Sequence, residues 1–272
     1  MKRSDRLVAI TNYLIENPMK LVSLPFFSTT YDAAKSSISE DLTIVNKVFK
    51  QEGMGYLKSI SGAAGGVKYI PEHSLDNSKK FIDDLCKRLE DPSRLLPGGY
   101  LFMSDLLGEP STVRNIGKIF ASEFSKLEID VVVTVATKGI PLAYAVASFL
   151  NVPVVIVRRD PKVTEGSTVS INYVSGSSRK IQTMILPKRS LHEGAKVCII
   201  DDFMMAGGTI NGMKDLLKEF NAQVKAIGVL VEAEDEEEER VVDNYTSLIQ
   251  ISNVNVKNNK IKVNKGNFLG KS

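Results

Sequence analysis

Asp201 and Asp202 are adjacent carboxylates that follow four apolar residues, Val197-Cys-Ile-Ile200, and precede a loop of small residues, Ala206-Gly207-Gly208-Thr209. A buried strand ending on two neighbouring carboxylates aims them to opposite faces, where together they accept hydrogen bonds from two hydroxyls or hold a hydrated Mg²⁺. The loop then opens what reads as a helix over 209–220, and backbone N–H groups at such a start crowd around an anion. Carboxylates beside an anion cradle suit a phosphorylated ribose. The glycines alone would serve equally well in a plain strand-to-helix turn with an acidic edge.

A second loop of this kind lies upstream. Val131–Val135 is a β-branched run suited to a central parallel strand. It leads into Ala136, Thr137, Lys138 and Gly139, and then into a helix over 141–150. A strand over 152–157 comes next, followed by a polar segment, 158–189, with seven Lys or Arg against two acids. Arg158, Arg159 and Lys162 stand at its start, where they can close over a polyanion; each reads equally as solvated surface charge.

The acidic pair and its loop resemble the signature of the type I phosphoribosyltransferase family. The resemblance implies that Asp201 and Asp202 hold the ribose hydroxyls of phosphoribosyl pyrophosphate (PRPP), with Mg²⁺ at the same carboxylates. Phe203 and Met205 belong to the same signature, and Ala206 to Thr209 would hold the 5-phosphate. Ala136 to Gly139 resemble the family's pyrophosphate loop, and 158–189 its mobile hood. Two residues depart from the enzymes. Met205 stands where hypoxanthine-type relatives carry an acid that acts as a base, and Ala206 where most carry Thr or Ser. A thioether takes no proton near neutral pH and Ala offers no hydroxyl, so the resemblance favours binding over catalysis.

The 272 residues are 43% hydrophobic and 25% charged, a composition expected of a soluble globular chain with room for two domains. No run of eighteen apolar residues and no signal-peptide pattern occurs, so a cytoplasmic protein with no membrane partner is expected. Cys86 and Cys198 read as small core residues, and His73 and His192 show no zinc spacing. The net charge of +3 is too small to argue for nucleic acid, but an acidic run over 232–239, read as a solvated loop, leaves the remainder basic.

The first seventy residues have their own punctuation. Ser4 can cap a helix carrying Leu7, Ile10, Leu14 and Ile15, which Asn17-Pro18 stops. A short helix follows near 25–31. The third is the clearest: Ser37 and Glu40 form a capping-box pattern, and Ile38, Leu42, Val45, Val48 and Phe49 share one face. Two extended runs, 56–60 and 67–70, then flank a glycine-rich tip. Three helices and a hairpin resemble the winged helix-turn-helix DNA-binding family, with 37–51 as recognition helix and 55–70 as wing. That resemblance implies base contacts from the start of the helix, through Lys35, Ser36, Ser37, Ser39 and Thr43. Phosphate contacts would come from Lys2, Arg3, Arg6, Lys47, Lys58 and Lys68. Winged helices also serve as dimerisation or docking modules, and 1–70 holds nine Lys or Arg against six acids.

Over its full length the chain resembles the purine operon repressors of low-GC Gram-positive bacteria. The carrying residues are Lys35-Ser-Ser-Ile-Ser-Glu-Asp-Leu42, Gly62-Ala-Ala-Gly-Gly-Val-Lys-Tyr-Ile-Pro71, Leu96-Pro-Gly-Gly99, Val135-Ala-Thr-Lys-Gly-Ile-Pro141, Thr164-Glu-Gly-Ser-Thr-Val-Ser-Ile-Asn-Tyr-Val174 and Ile199-Ile-Asp-Asp-Phe203. The resemblance implies a winged-helix domain, 1–73, joined through a linker at 71–76 to a phosphoribosyltransferase-like domain, 74–272. The expected fold is α/β, a parallel sheet with helices on both faces, and the expected function is a homodimeric repressor that PRPP releases from operator DNA. An active purine phosphoribosyltransferase, or a sensor of guanosine polyphosphates using the same loops, remains open at this level. Elsewhere, helices are expected at 78–90 and 111–127 and strands at 225–231, 247–252, 253–257 and 260–263, the last two joined by a tight turn at Asn258-Asn259.

Overall fold

The computed structural model describes residues 1–62, 65–96, 100–160, 166–174, 181–233, 240–255 and 260–270, with the side chains of 253–255 and 260 outside the description. Lys162, the acids at 234–239 and the Asn258-Asn259 turn lie outside the described residues.

The N-terminal unit runs α1 (Arg3–Glu16), β1 (Leu21–Val22), α2 (Leu24–Tyr31), α3 (Lys35–Gln51), β2 (Gly55–Ile60) and β3 (Gly66–Pro71). Its three strands pair in the order β1-β3-β2, all antiparallel, over a core that includes Ile10, Leu14, Phe27, Ile38, Leu42, Val45 and Phe49. Two expected caps do not form. Ser4 lies inside the first turn of α1, its hydroxyl given to Asp5, and α3 begins at Lys35 without a side-chain cap. Glu40, expected to close a capping box, accepts from Arg3 Nη2 at 3.3 Å instead. Val48 is 45% exposed and falls off the apolar stripe.

The stripe of α3 instead contains an acid. Asp41 is fully buried; its Oδ2 accepts from Arg6 Nε at 2.5 Å and its Oδ1 from Arg3 Nε at 3.1 Å. A carboxylate taken this far out of water persists only with paired charge and hydrogen bonds. Arg6 is therefore withdrawn from the expected DNA contacts: it is buried, and it fastens α1 to α3.

The second unit begins with α4 (Leu75–Leu89), capped by the Ser74 hydroxyl, then β4 (Leu95–Leu96), β5 (Tyr100–Leu101), α5 (Ser104–Gly108) and α6 (Pro110–Phe124). There follow β6 (Val131–Val135), α7 (Gly139–Leu150), β7 (Val154–Val157), the antiparallel hairpin β8 (Thr168–Val174) and β9 (Ile181–Pro187), and β10 (Lys196–Met204). Next come α8 (Gly208–Lys218), β11 (Gln223–Ala233), β12 (Thr246–Asn255), β13 (Lys260–Lys265) and a 3-10 turn (Asn267–Gly270). Six strands form one sheet in the order β13-β12-β11-β10-β6-β7, parallel except for β13. Both faces are covered, which is why its strands read as continuous apolar runs. Alternate residues serve opposite sides: Val132, Cys198 and Ile200 pack with α4 to α7, while Val131, Val133, Val197 and Ile199 pack with α8 and the β8–β9 hairpin.

Two strand expectations change. β10 does not end at the carboxylates but carries them, staying paired with β11 through Met204↔Glu232. The strands expected at 247–252 and 253–257 are one, because pairing with β13 continues across a bulge to Asn255↔Lys260.

The Asp41 pair yields a prediction. Arg6→Gln leaves a buried carboxylate under-paired and costs about 3 kcal/mol, whereas Arg3→Gln, at a half-exposed site, costs less than about 1 kcal/mol. Urea denaturation followed by circular dichroism measures both.

Candidate functional site

β6 and β10 are neighbours, paired from Val131↔Val197 to Val133↔Ile199. Beyond that point β6 continues beside β7 and β10 beside β11, so the strands part. The helices that follow leave to opposite faces, α7 to one core and α8 to the other. Ligands of open α/β sheets bind in the crevice at the carboxyl ends of such diverging strands. Here that crevice is a cavity of about 280 Å³ whose wall includes Ala136, Thr137, Lys138, Arg159, Asp201, Asp202, Phe203, Met205, Gly207, Gly208 and Thr209.

Each wall has a local cause. The β6 loop turns directly into α7, and Gly139 admits no side chain: a Cβ there would stand 2.2 Å from Thr134 Oγ1 and 3.3 Å from Asp201 Oδ1. The Ala136–Thr137 peptide is cis. Past β10, Gly207 takes φ +91°, a left-handed conformation that glycine adopts without strain, and caps α8. Two helix starts thus face one cavity from opposite sides of the carboxylates, each presenting N–H groups without intrahelical partners.

Asp201 is 3% exposed, and its Oδ1 accepts from the Asp202 N–H at 3.0 Å. Burial pushes its pKa well above the usual carboxylate range, and the neighbouring Asp202 carboxylate adds to the rise, while Arg159 opposes it. Asp202 is also raised by burial, with Lys138 pulling the other way. No ion pair within 4 Å reaches either carboxylate among the described residues, nor is any group of three or more His, Cys, Asp or Glu placed to hold a metal. The pair is a negative site short of compensation, open to hydroxyls or to a cation that arrives with its own ligands.

The remaining expected residues are placed less centrally. Gly139 and Ala206 are buried behind the wall. Arg158 is held by its backbone, bridged to Ile185 in both directions at 3.1 and 2.8 Å, so that Arg159 rather than Arg158 lines the cavity.

In the N-terminal unit Lys2, Lys35, Ser36, Ser39, Thr43 and Lys47 are exposed, Ser37 is half-buried, and Arg3 is shared with Glu40 and Asp41. Lys35, Ser39, Thr43 and Asn46 of α3 and Ser59 to Gly62 of the wing border one groove. Thr43 Oγ1 returns to the Ser39 carbonyl at 2.9 Å, and Asn46 Oδ1 accepts the Leu57 N–H at 2.8 Å, tying helix to wing. Lys58 and Lys68 do not join that surface. They oppose each other across β2 and β3 and line a separate groove with Lys126, Glu128 and Asn151 of the second unit. Strand alternation places them there, since Leu57, Val67 and Tyr69 face the α3 core.

Residues 2–71 match the family model for the N-terminal region of the bacterial purine repressor, and residues 103–264 match that for a phosphoribosyl transferase domain. The chain is 61% identical over 268 residues to the purine biosynthesis transcriptional repressor PurR of Bacillus subtilis, covering 98% of this chain and 94% of that one. The chain belongs to the bacterial purine repressor family. Another family member, the purine biosynthesis transcriptional activator PurR of Lactococcus lactis subsp. lactis, is 45% identical over 98% of each chain. Among solved structures, an adenine phosphoribosyltransferase from Rhodothermus marinus superposes on 63% of this chain and 99% of its own with a TM-score of 0.51 at 20% identity, which shows the fold. No described helix is long and apolar enough to cross a membrane.

Within this purine repressor fold, Tyr100, Leu101 and Met103 also line the cavity, and sequence reading missed them. They follow the Leu96-Pro-Gly-Gly99 segment that carried part of the resemblance, but a two-residue strand leaves no periodicity to find.

The raised carboxyl titrations fix a sign. Asp201 and Asp202 hold protons to higher pH in the fold than in the open chain, so the penalty for ionising them is absent in acid and grows as pH rises through their raised range. Asp201→Asn keeps the acceptor for the Asp202 N–H and removes one charge. It should raise the melting temperature of the ligand-free protein at pH 7.5 by about 2–4 °C, and by less at pH 5, in calorimetric scans.

Proposed function

We propose that this chain represses purine-synthesis genes as a homodimer bound to operator DNA, and that PRPP entering the cavity with Mg²⁺ relieves the repression. The observation that carries the reading is a single cavity lined by a carboxylate pair, two anion-binding helix starts, Lys138 and Arg159, in a chain with a winged helix at its other end. Asp201 and Asp202 would take the ribose 2- and 3-hydroxyls. The Ala136–Gly139 loop and Lys138 would take the pyrophosphate, and the Ala206–Thr209 loop the 5-phosphate. Mg²⁺ suits this donor set, two under-compensated hard oxygen ligands, and would supply charge neutralisation between carboxylates and ligand phosphates.

Binding without chemistry is supported by Met205, which lines the cavity and stands where hypoxanthine-type relatives carry an acid that acts as a base. The sign, repression, is that of the relative with 61% identity rather than that with 45%. A DNA-binding regulator acts in the cytoplasm, and two-fold operators call for a dimer. Residues 1–73 would form the DNA-binding domain and 74–272 the effector domain. Lys35, Ser36, Ser39, Thr43 and Lys47 would face the duplex. The basic 158–189 segment can meet either polyanion, so a ligand that engages it withdraws counterion-releasing contacts from DNA.

A packed route supports coupling between the two ends. α7 starts at the cavity loop, and α6 lies against it so closely that a Cβ on Gly117 would stand 2.6 Å from Ala145 Cβ. From α6, Lys118 Nζ donates to the Gly53 carbonyl at 3.1 Å, just past the end of the recognition helix.

Titration calorimetry tests the pocket. Mg²⁺–PRPP should bind the wild type, and Asp201→Asn should weaken it roughly tenfold or more. Affinity should fall as the solution is acidified, and from a higher pH than free carboxylates would set, because the bound state takes the carboxylates ionised and burial raises their titration. Purine base plus PRPP and Mg²⁺ should give no nucleotide; robust synthesis would make the protein an enzyme.

A further inference from the structure

Glu232, near the end of β11, is 3% exposed and in register with Met204, three residues before the Gly207 cap. Its Oε1 accepts from Ser247 Oγ at 2.6 Å, and its Oε2 from Tyr245 OH at 2.5 Å and Arg240 Nη1 at 2.6 Å. Arg240 also donates to the Tyr245 hydroxyl and, through Nη2, to the Ala233 carbonyl at 3.3 Å. Asn267 completes the cluster, its N–H given to Ser247 Oγ at 3.0 Å and its Oδ1 accepting the Ser247 N–H at 2.9 Å. Asn244, at φ 56°, turns the chain so that Arg240 and Tyr245 converge on one carboxylate.

Between those two residues lie the contacts that matter for the cavity. The Val241 N–H donates to the Ala206 carbonyl at 3.0 Å. Val242 is 1% exposed and fills the space beside Gly207, where a Cβ would meet its Cγ2 at 2.7 Å. None of Glu232, Arg240, Val241, Val242, Tyr245 and Ser247 lines the cavity itself.

We infer that Glu232 and its donors Arg240, Tyr245 and Ser247 are positioning residues that hold the 206–209 loop in shape for a ligand phosphate. The inference rests on the sensor reading above. An anion cradle of backbone N–H groups binds only while those groups converge, and this loop has little of its own to hold it. Ala206 has no hydroxyl, and Gly207 and Gly208 have no side chains. The constraint comes from outside, through Val241 and Val242, which the buried carboxylate fixes in place. A carboxylate satisfied by three side-chain donors is a rigid anchor, and removing its charge or a donor loosens what it anchors.

The test uses full-length protein with Mg²⁺ and three probes: PRPP, ribose 5-phosphate and inorganic pyrophosphate. Glu232→Gln should raise Kd for PRPP and ribose 5-phosphate about tenfold, and Tyr245→Phe about threefold, while Kd for pyrophosphate, which uses the Ala136–Gly139 loop, stays within about twofold. Melting temperature is recorded for each variant; should Glu232→Gln fail to fold, Tyr245→Phe carries the comparison. Unaltered affinities in folded variants, or parallel loss of all three probes, would overturn the clamp and leave the sensor reading standing. A wild type that binds none of the three overturns both.

Discussion

The parting of β6 and β10 is the constraint on which the rest depends. Once these parallel strands separate after Val133 and Ile199, their crossover helices must leave to opposite faces, and two helix starts are brought to one crevice with Asp201 and Asp202 between them. Gly139 and Gly207 make the two turns at the close quarters this requires. A chain that met the same residues on a different strand order would have the same motif and no cavity.

Three buried acids show how the molecule divides structure from binding. Asp41 is satisfied by two arginines and locks α3 to α1. Glu232 is satisfied by Arg240, Tyr245 and Ser247 and anchors the segment that packs on the 206–209 loop. Asp201 accepts a backbone N–H but has no cation within ion-pair distance among the described residues. Burying a carboxylate without full compensation costs stability, and the cavity is where that cost is borne; a ligand with hydroxyls or a divalent ion would remove it on arrival. The two satisfied acids hold structure together, and the under-compensated one lines the cavity.

Much of this was legible in the sequence because it is local. The β-branched run Val131–Val135 and the helix and hairpin of the N-terminal unit follow from period and punctuation, and the acidic pair with its glycines marks the cavity. What escaped is non-local. Arg6 was expected at DNA phosphates because its partner Asp41 lies 35 residues away, and Glu232 looked like the start of an acidic run because its partners are likewise distant in sequence. Lys58 and Lys68 appeared to belong with Lys47, until strand alternation turned them toward the second unit. β1 is two residues long and has no pattern of its own.

On the proposed reading, one chain joins a winged helix that binds operators to a cavity that senses PRPP. The direct measurement is capture of fragmented host-genome DNA by the purified protein at near-physiological salt, with and without PRPP and Mg²⁺. The account predicts capture of promoter fragments of purine-synthesis genes and their release by PRPP. Capture without sequence selectivity, or selective capture indifferent to PRPP, would contradict it.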